Sequence, residues 1–217
     1  MIDSVIFDLD GTLVNSMGVW AESDMIFLNN HGHEYSPELS YALRTLTFED
    51  ACSYIRREYS LDMSDKEIAE EITEIVRHKY THEIELMPCV RETLAELSRH
   101  KIRMCVATSN SRELAEAVLI SNGIDGHFEF LITSDEVGTG KSDPHIYISC
   151  AEKMGSTPMS TAVVEDSPHA AQTAHKAGFF TVGVPSGHYD DFDELEGCTD
   201  VRIENISELI GLISRPC

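Results

Sequence analysis

Two pairs of acids close apolar runs in this chain. Asp8 and Asp10, in Asp8-Leu9-Asp10-Gly11-Thr12, follow Val5-Ile6-Phe7, and Glu165-Asp166-Ser167 follows Ala162-Val163-Val164. A third run, Met104-Cys105-Val106-Ala107, ends on Thr108-Ser109-Asn110, and Lys141 stands just before Asp143-Pro144, where a helix should open. Carboxylates, hydroxyls and an ammonium are the groups that hold a hard cation and stabilise charged oxygens. Taken singly, each has an ordinary reading. Acids followed by glycine often just end a strand. A lysine is usually a solvated surface residue. Glu165-Asp166 would suit a helix N-terminus and Thr108 a strand-end cap.

The elements that must carry these residues are set by the hydrophobic pattern. The three runs above, with Phe130-Leu131-Ile132 and Thr181-Val182-Gly183-Val184, are short and bounded by polar or turn residues, as strands buried on both faces are. Helical patterns lie between the later ones. Val90, Leu94 and Leu97 follow Pro88; Leu114, Ala117 and Val118 are opened by Asn110 with Glu113 three residues on; Ala170, Ala174 and Ala177 are closed by Gly178. Strand and helix alternate from about residue 88. That alternation predicts an α/β fold, a Rossmann-like parallel sheet with helices on both faces and ligands at the carboxyl ends of the strands.

Residues 16–84 break the rhythm. Ser64-Asp65-Lys66-Glu67 is a capping box, followed by Ile68, Ile72, Ile75 and Val76 at helical spacing, and Thr47-Phe48-Glu49-Asp50 opens a further helix. The expected organisation is a core of residues 1–15 and 85–217 with an inserted all-helical cap of residues 16–84, hinged near 14–17 and 82–87.

All four polar clusters fall where a sheet-edge site needs them, and in their order the chain resembles the haloacid dehalogenase superfamily over most of its length. The resemblance implies that Asp8 is a nucleophile and Asp10 an acid/base. It implies that Thr108, Ser109, Asn110 and Lys141 bind phosphate, and that Asp8, Asp10, Glu165 and Asp166 hold Mg2+. Residues 16–84 resemble the family's helical cap in its first insertion site. Ser142 after Lys141, where many relatives have proline, and Ala170, where a glycine often opens the helix, depart from the pattern without removing a reacting group.

The chemistry is coherent without the family name. Converging carboxylates raise one another's pKa unless a cation sits among them, and magnesium would offset that repulsion while bridging to a phosphate. Asp8 can attack phosphorus to form an acyl phosphate, and Asp10 can protonate the departing alcohol and then take a proton from water. Asp10 argues against dehalogenation, where no leaving group needs a proton. β-Phosphoglucomutase-like mutases carry a histidine where this chain has Trp20, which puts a phosphatase of small phosphomonoesters first and a mutase second. A phosphate-binding protein without turnover is the alternative of another class. The leaving group stays open among sugar phosphates, nucleotides, phosphoglycolate-like acids and cofactor precursors.

Asn15, Trp20, Arg44 and Asn110 are candidates for contacting that leaving group. Against this, Trp20 would also suit a core position between helices, Arg44 a solvated face and Asn110 a helix cap. The ten histidines, including His31, His33, His78, His82, His169 and His188, read as surface or partly buried imidazoles.

Composition bounds the partners. Sixteen Lys and Arg against 38 Asp and Glu give a formal charge of −22, which repels nucleic acid and anionic lipid. No apolar run approaches the ~20 residues that span a bilayer. Met1-Ile2-Asp3-Ser4 has no basic leader region, leaving a cytoplasmic location as the expectation. The six cysteines lack C-x-x-C pairing and read as reduced thiols. The expected partner is a small phosphorylated metabolite, with the chain a monomer or weak homo-oligomer.

Overall fold

The computed structural model describes residues 2–36, 39, 43, 46, 48–186 and 190–213. The chain divides into two compact units, Gly18–Glu83 and Met1–Met17 with Ile84–Cys217. The smaller unit is helical, with α1 (Val19–Asn30), α2 (Phe48–Glu58) and α3 (Asp65–His82) among the described residues. The Ser64 hydroxyl accepts from the Glu67 N–H and the Glu67 carboxylate accepts from the Ser64 N–H, so the capping box opens α3 as the sequence predicts. Ile68, Ile72, Val76 and Tyr80 are buried at i, i+4, i+8 and i+12, the face that packs on α1 and α2. Lys79 is buried on the same helix because Glu22 and Glu83 accept from its ammonium at 2.9 and 3.1 Å.

The larger unit is built on a parallel sheet of six strands: β1 (Ser4–Phe7), β2 (Arg103–Thr108), β3 (Leu131–Thr133), β4 (Thr161–Glu165), β5 (Phe180–Gly183) and β6 (Val201–Arg202). They lie in the order β3-β2-β1-β4-β5-β6. The first five are the five apolar runs. β6 is two half-buried residues long and has no run to announce it. Every residue of β1 and β4 is buried, which requires cover on both faces. On one face Ile6, Cys105, Ala107, Ile132 and Val163 pack with Ile146, Tyr147 and Cys150 of α7 (His145–Lys153). On the other, Phe7 meets Phe128 edge to face at 6.1 Å. The remaining core helices are α4 (Val90–Arg99), α5 (Arg112–Ser121), α6 (Ser134–Val137), α8 (Pro168–Lys176) and α9 (Leu209–Ile213).

Strand order reverses at β1, because the chain fills the sheet outward through β2 and β3 and then returns to β4 on the other side. A parallel sheet opens a crevice at such a point, beyond the carboxyl ends of its strands. The register sets what faces it. Phe7 pairs with Val106 of β2 and with Val164 of β4, and the Asp8 N–H donates to the Val164 carbonyl at 3.0 Å. Asp8 and Glu165 therefore emerge side by side.

The capping box yields a simple check. Ser64→Ala should cost about 1 kcal/mol of stability, read by denaturant unfolding of the whole chain followed through α3; an unchanged midpoint would show that α3 needs no cap.

Candidate active site

Beyond β1 the chain turns tightly, with the N–H groups of Leu13 and Val14 both reaching the Leu9 carbonyl. Gly11 makes the turn possible. Its φ is +87°, and a Cβ there would overlap the Asp166 carboxylate. The turn delivers buried Ser16, whose hydroxyl donates to Asp10 Oδ1 at 2.6 Å. Asn110, after β2, donates its side-chain amide to Asp10 Oδ2 at 3.1 Å. Thr108 is buried, and its hydroxyl oxygen accepts the Asn110 N–H at 3.0 Å, which leaves the hydroxyl proton to donate elsewhere.

Lys141 reaches in from the segment before α7. Its ammonium contacts Asp8 Oδ1 and donates to Glu165 Oε1 at 2.6 Å. Tyr147, in the first turn of α7, donates its hydroxyl to the same Glu165 oxygen at 2.8 Å. Asp8 and Glu165 are almost fully buried. One oxygen from each of Asp8, Glu165 and Asp166 can lie within 4.8 Å of the other two. These groups open on a cleft of about 420 Å³ lined by Asp8, Asp10, Thr108, Ser109, Lys141, Glu165 and Asp166.

Burial pushes the Asp8 carboxyl well up, with the Lys141 ammonium pulling against it and Glu165, Asp166 and Asp10 adding to the push. Burial and the Glu165 charge push Asp166 up to about 7, with Lys141 pulling the other way. Burial alone would lower Lys141, but Asp8 and Glu165 more than offset it and hold the ammonium charged. Burial and then Glu165 keep the Tyr147 phenol protonated far above its ordinary range. Three clustered carboxylates share one ammonium, so two negative charges lack a match. Glu165 Oε2 is buried with no hydrogen-bond partner. An orphaned carboxylate oxygen in an all-oxygen donor set fits a hard divalent cation such as Mg2+.

A family model described as haloacid dehalogenase-like hydrolase matches residues 5–184. The chain belongs to that family. It is 28% identical over 212 residues, 96% of each chain, to validoxylamine A 7'-phosphate phosphatase of Streptomyces hygroscopicus. It is 29% identical to fructose-1-phosphate phosphatase of Escherichia coli over 83% of this chain and 95% of the relative. A crystal structure of a β-phosphoglucomutase homologue from Thermotoga maritima superposes with a TM-score of 0.88 over 98% of both chains at 22% identity, a likeness of fold.

The predicted site residues divide in the structure. Asp10, expected among the metal ligands, lines the same cleft but lies outside the three-acid cluster found among the described residues, and Ser16 and Asn110 donate to its carboxylate. Asn110 was expected to cap the helix after β2, whereas Ser111 caps α5 by accepting the Leu114 N–H. Asn15 is exposed, donates its N–H to the Glu85 carbonyl and is not among the cleft's lining residues. Trp20, on α1 of the helical unit, is 43% exposed and meets Phe48 edge to face at 5.3 Å, so it is no core residue. Arg44 lies outside the described residues. Ser16 and Tyr147 were missed. Ser16 falls in a turn without a pattern, and Tyr147 reads by its spacing as one more core residue of α7.

The shifted acids give a pH dependence with a definite sign. Asp166 titrates near 7 in the folded chain and near 4 unfolded, so its contribution favours the fold below about 4 and is lost as pH rises through about 7. Metal-free protein should therefore lose thermal stability between about pH 5 and about pH 8 more steeply than Asp166→Asn, and Mg2+ should restore it most at the upper end. Parallel slopes for the two proteins would contradict this electrostatic account.

Proposed function

We propose that this hydrolase is a Mg2+-dependent phosphatase that removes phosphate from a small organic phosphomonoester through a phospho-aspartate on Asp8. One observation carries the reading: Asp8 is buried at the end of β1, against Lys141 and within the cluster of Glu165 and Asp166. Asp8, Glu165 and Asp166 would hold the Mg2+, which when bound supplies positive charge to the phosphoryl oxygens.

The residues divide the work. An Asp8 carboxylate oxygen attacks phosphorus as the bond from phosphorus to the alkoxy oxygen breaks, and protonated Asp10 gives its proton to that oxygen. Water then attacks the same phosphorus while Asp10 takes one of its protons, and inorganic phosphate leaves Asp8. Lys141 balances charge on the transferring oxygens, and Thr108 and Ser109 offer hydroxyl protons from the cleft wall. Ser16 and Asn110 hold Asp10 by both of its oxygens, which keeps its position fixed between the two steps. The named activities of relatives at 28% and 29% identity support a phosphomonoester substrate. In this reading Gly18–Glu83 is the cap, and the paired segments around Asn15 and Glu85 are its hinge.

Phosphate release from a panel of small phosphomonoesters, with and without Mg2+, tests the proposal. Asp8→Asn should lower turnover by at least about 10³-fold on every substrate. Asp10→Asn should lower it by about 10² to 10⁴-fold on alkyl phosphates and far less on aryl phosphates, whose leaving groups need no proton. Equal loss on both substrate types would remove Asp10 from proton transfer. Isomerisation of sugar 1-phosphates without phosphate release would replace the phosphatase with a mutase.

A further inference from the structure

Tyr147 is a fully buried residue of the apolar layer between the sheet and α7, with its ring edge to face on Phe179 at 6.1 Å. Its hydroxyl is the feature that packing does not require. That hydroxyl donates to Glu165 Oε1, the oxygen that already receives the Lys141 ammonium. Two donors thus converge on one oxygen of a buried carboxylate, while the other oxygen, Oε2, is buried with no partner. Sharing the donors between the two oxygens would satisfy both and remove the cost of an orphan. The observed arrangement leaves that cost in place.

We infer that Tyr147 is a positioning residue: with Lys141 it occupies Glu165 Oε1 and so reserves Oε2 for the divalent cation that Asp8 and Asp166 share. The inference rests on the phosphatase reading given above. Lys141 and Tyr147 stand six residues apart, on either side of the start of α7, so one segment sets both donors and Glu165 cannot turn without losing them. The pair also sorts the oxygens of the site. Lys141 takes Asp8 Oδ1 and Glu165 Oε1, and the cation is left the oxygens that neither Lys141 nor Tyr147 touches. Losing a partner that orients a ligand in this way typically costs about 10- to 100-fold in metal affinity.

Tyr147→Phe keeps the ring and removes one oxygen, which makes it the variant to measure. Mg2+ titration of metal-free protein by calorimetry should show affinity falling about 10-fold or more. The Mg2+ concentration needed for half-maximal turnover should rise by the same factor, ahead of any fall in kcat at saturating Mg2+. Mg2+ should also perturb the near-ultraviolet absorption of a buried tyrosine in the wild type, and that signal should vanish in the variant. Equal Mg2+ affinity in the two proteins overturns the inference and leaves Tyr147 a packing residue. If the variant folds poorly, the wild type alone decides, since Mg2+ binding with no tyrosine perturbation also overturns it. Wild type that neither binds Mg2+ nor releases phosphate fails the functional reading itself, a result distinguishable from failure of the Tyr147 role.

Discussion

Lys141 faces two buried carboxylates, with a third beside them, and cannot neutralise all three. A low-dielectric setting makes that mismatch costly, so the acids either hold protons or gather a cation. The raised Asp8 and Asp166 carboxyls are the first response, available to the metal-free chain. A divalent cation is the second, and it would supply the two missing charges. Much of the core serves to hold this imbalance in place. The order reversal at β1 brings Asp8 beside Glu165, the Gly11 turn lets the chain pass against Asp166, and α7 with the segment before it supplies Tyr147 and Lys141.

The core was legible because its strands are covered on both faces, and full cover turns a strand into an unbroken apolar run. Five runs were readable and five strands stand there. β6 was not, since two half-buried residues at a sheet edge leave no hydrophobic signature. α6 escaped for a similar reason: it is a four-residue helix held by a capping box on Thr133, too short for periodicity to show. The candidate reacting groups were legible by position, the acids and Thr108 following apolar runs at the sheet edge and Lys141 preceding a helix.

How those groups connect was legible only in part. Asn110 and Ser111 are both good cap types at adjacent positions, and sequence alone does not choose between them. Tertiary context does, because Asp10 takes the Asn110 amide and leaves Ser111 to the helix. Asp10 likewise belongs by spacing with the other acids and by geometry with Ser16. The two named phosphatases differ in substrate yet stand at nearly equal identity, 28% and 29%, so overall similarity does not select this chain's leaving group. What is common to them is the phosphoryl end of the reaction, which is the end the proposed function assigns to the core.

That end can be examined directly. Protein mixed with a substrate identified by phosphate release, in the presence of Mg2+, would be quenched in acid within one turnover, digested and analysed by mass spectrometry. The account predicts a phosphoryl group on the peptide that holds Asp8, absent when Mg2+ is withheld and absent in Asp8→Asn. Phosphate released at full rate with Asp8 never carrying the phosphoryl group would contradict it, and would make Asp8 a metal ligand for direct attack by water.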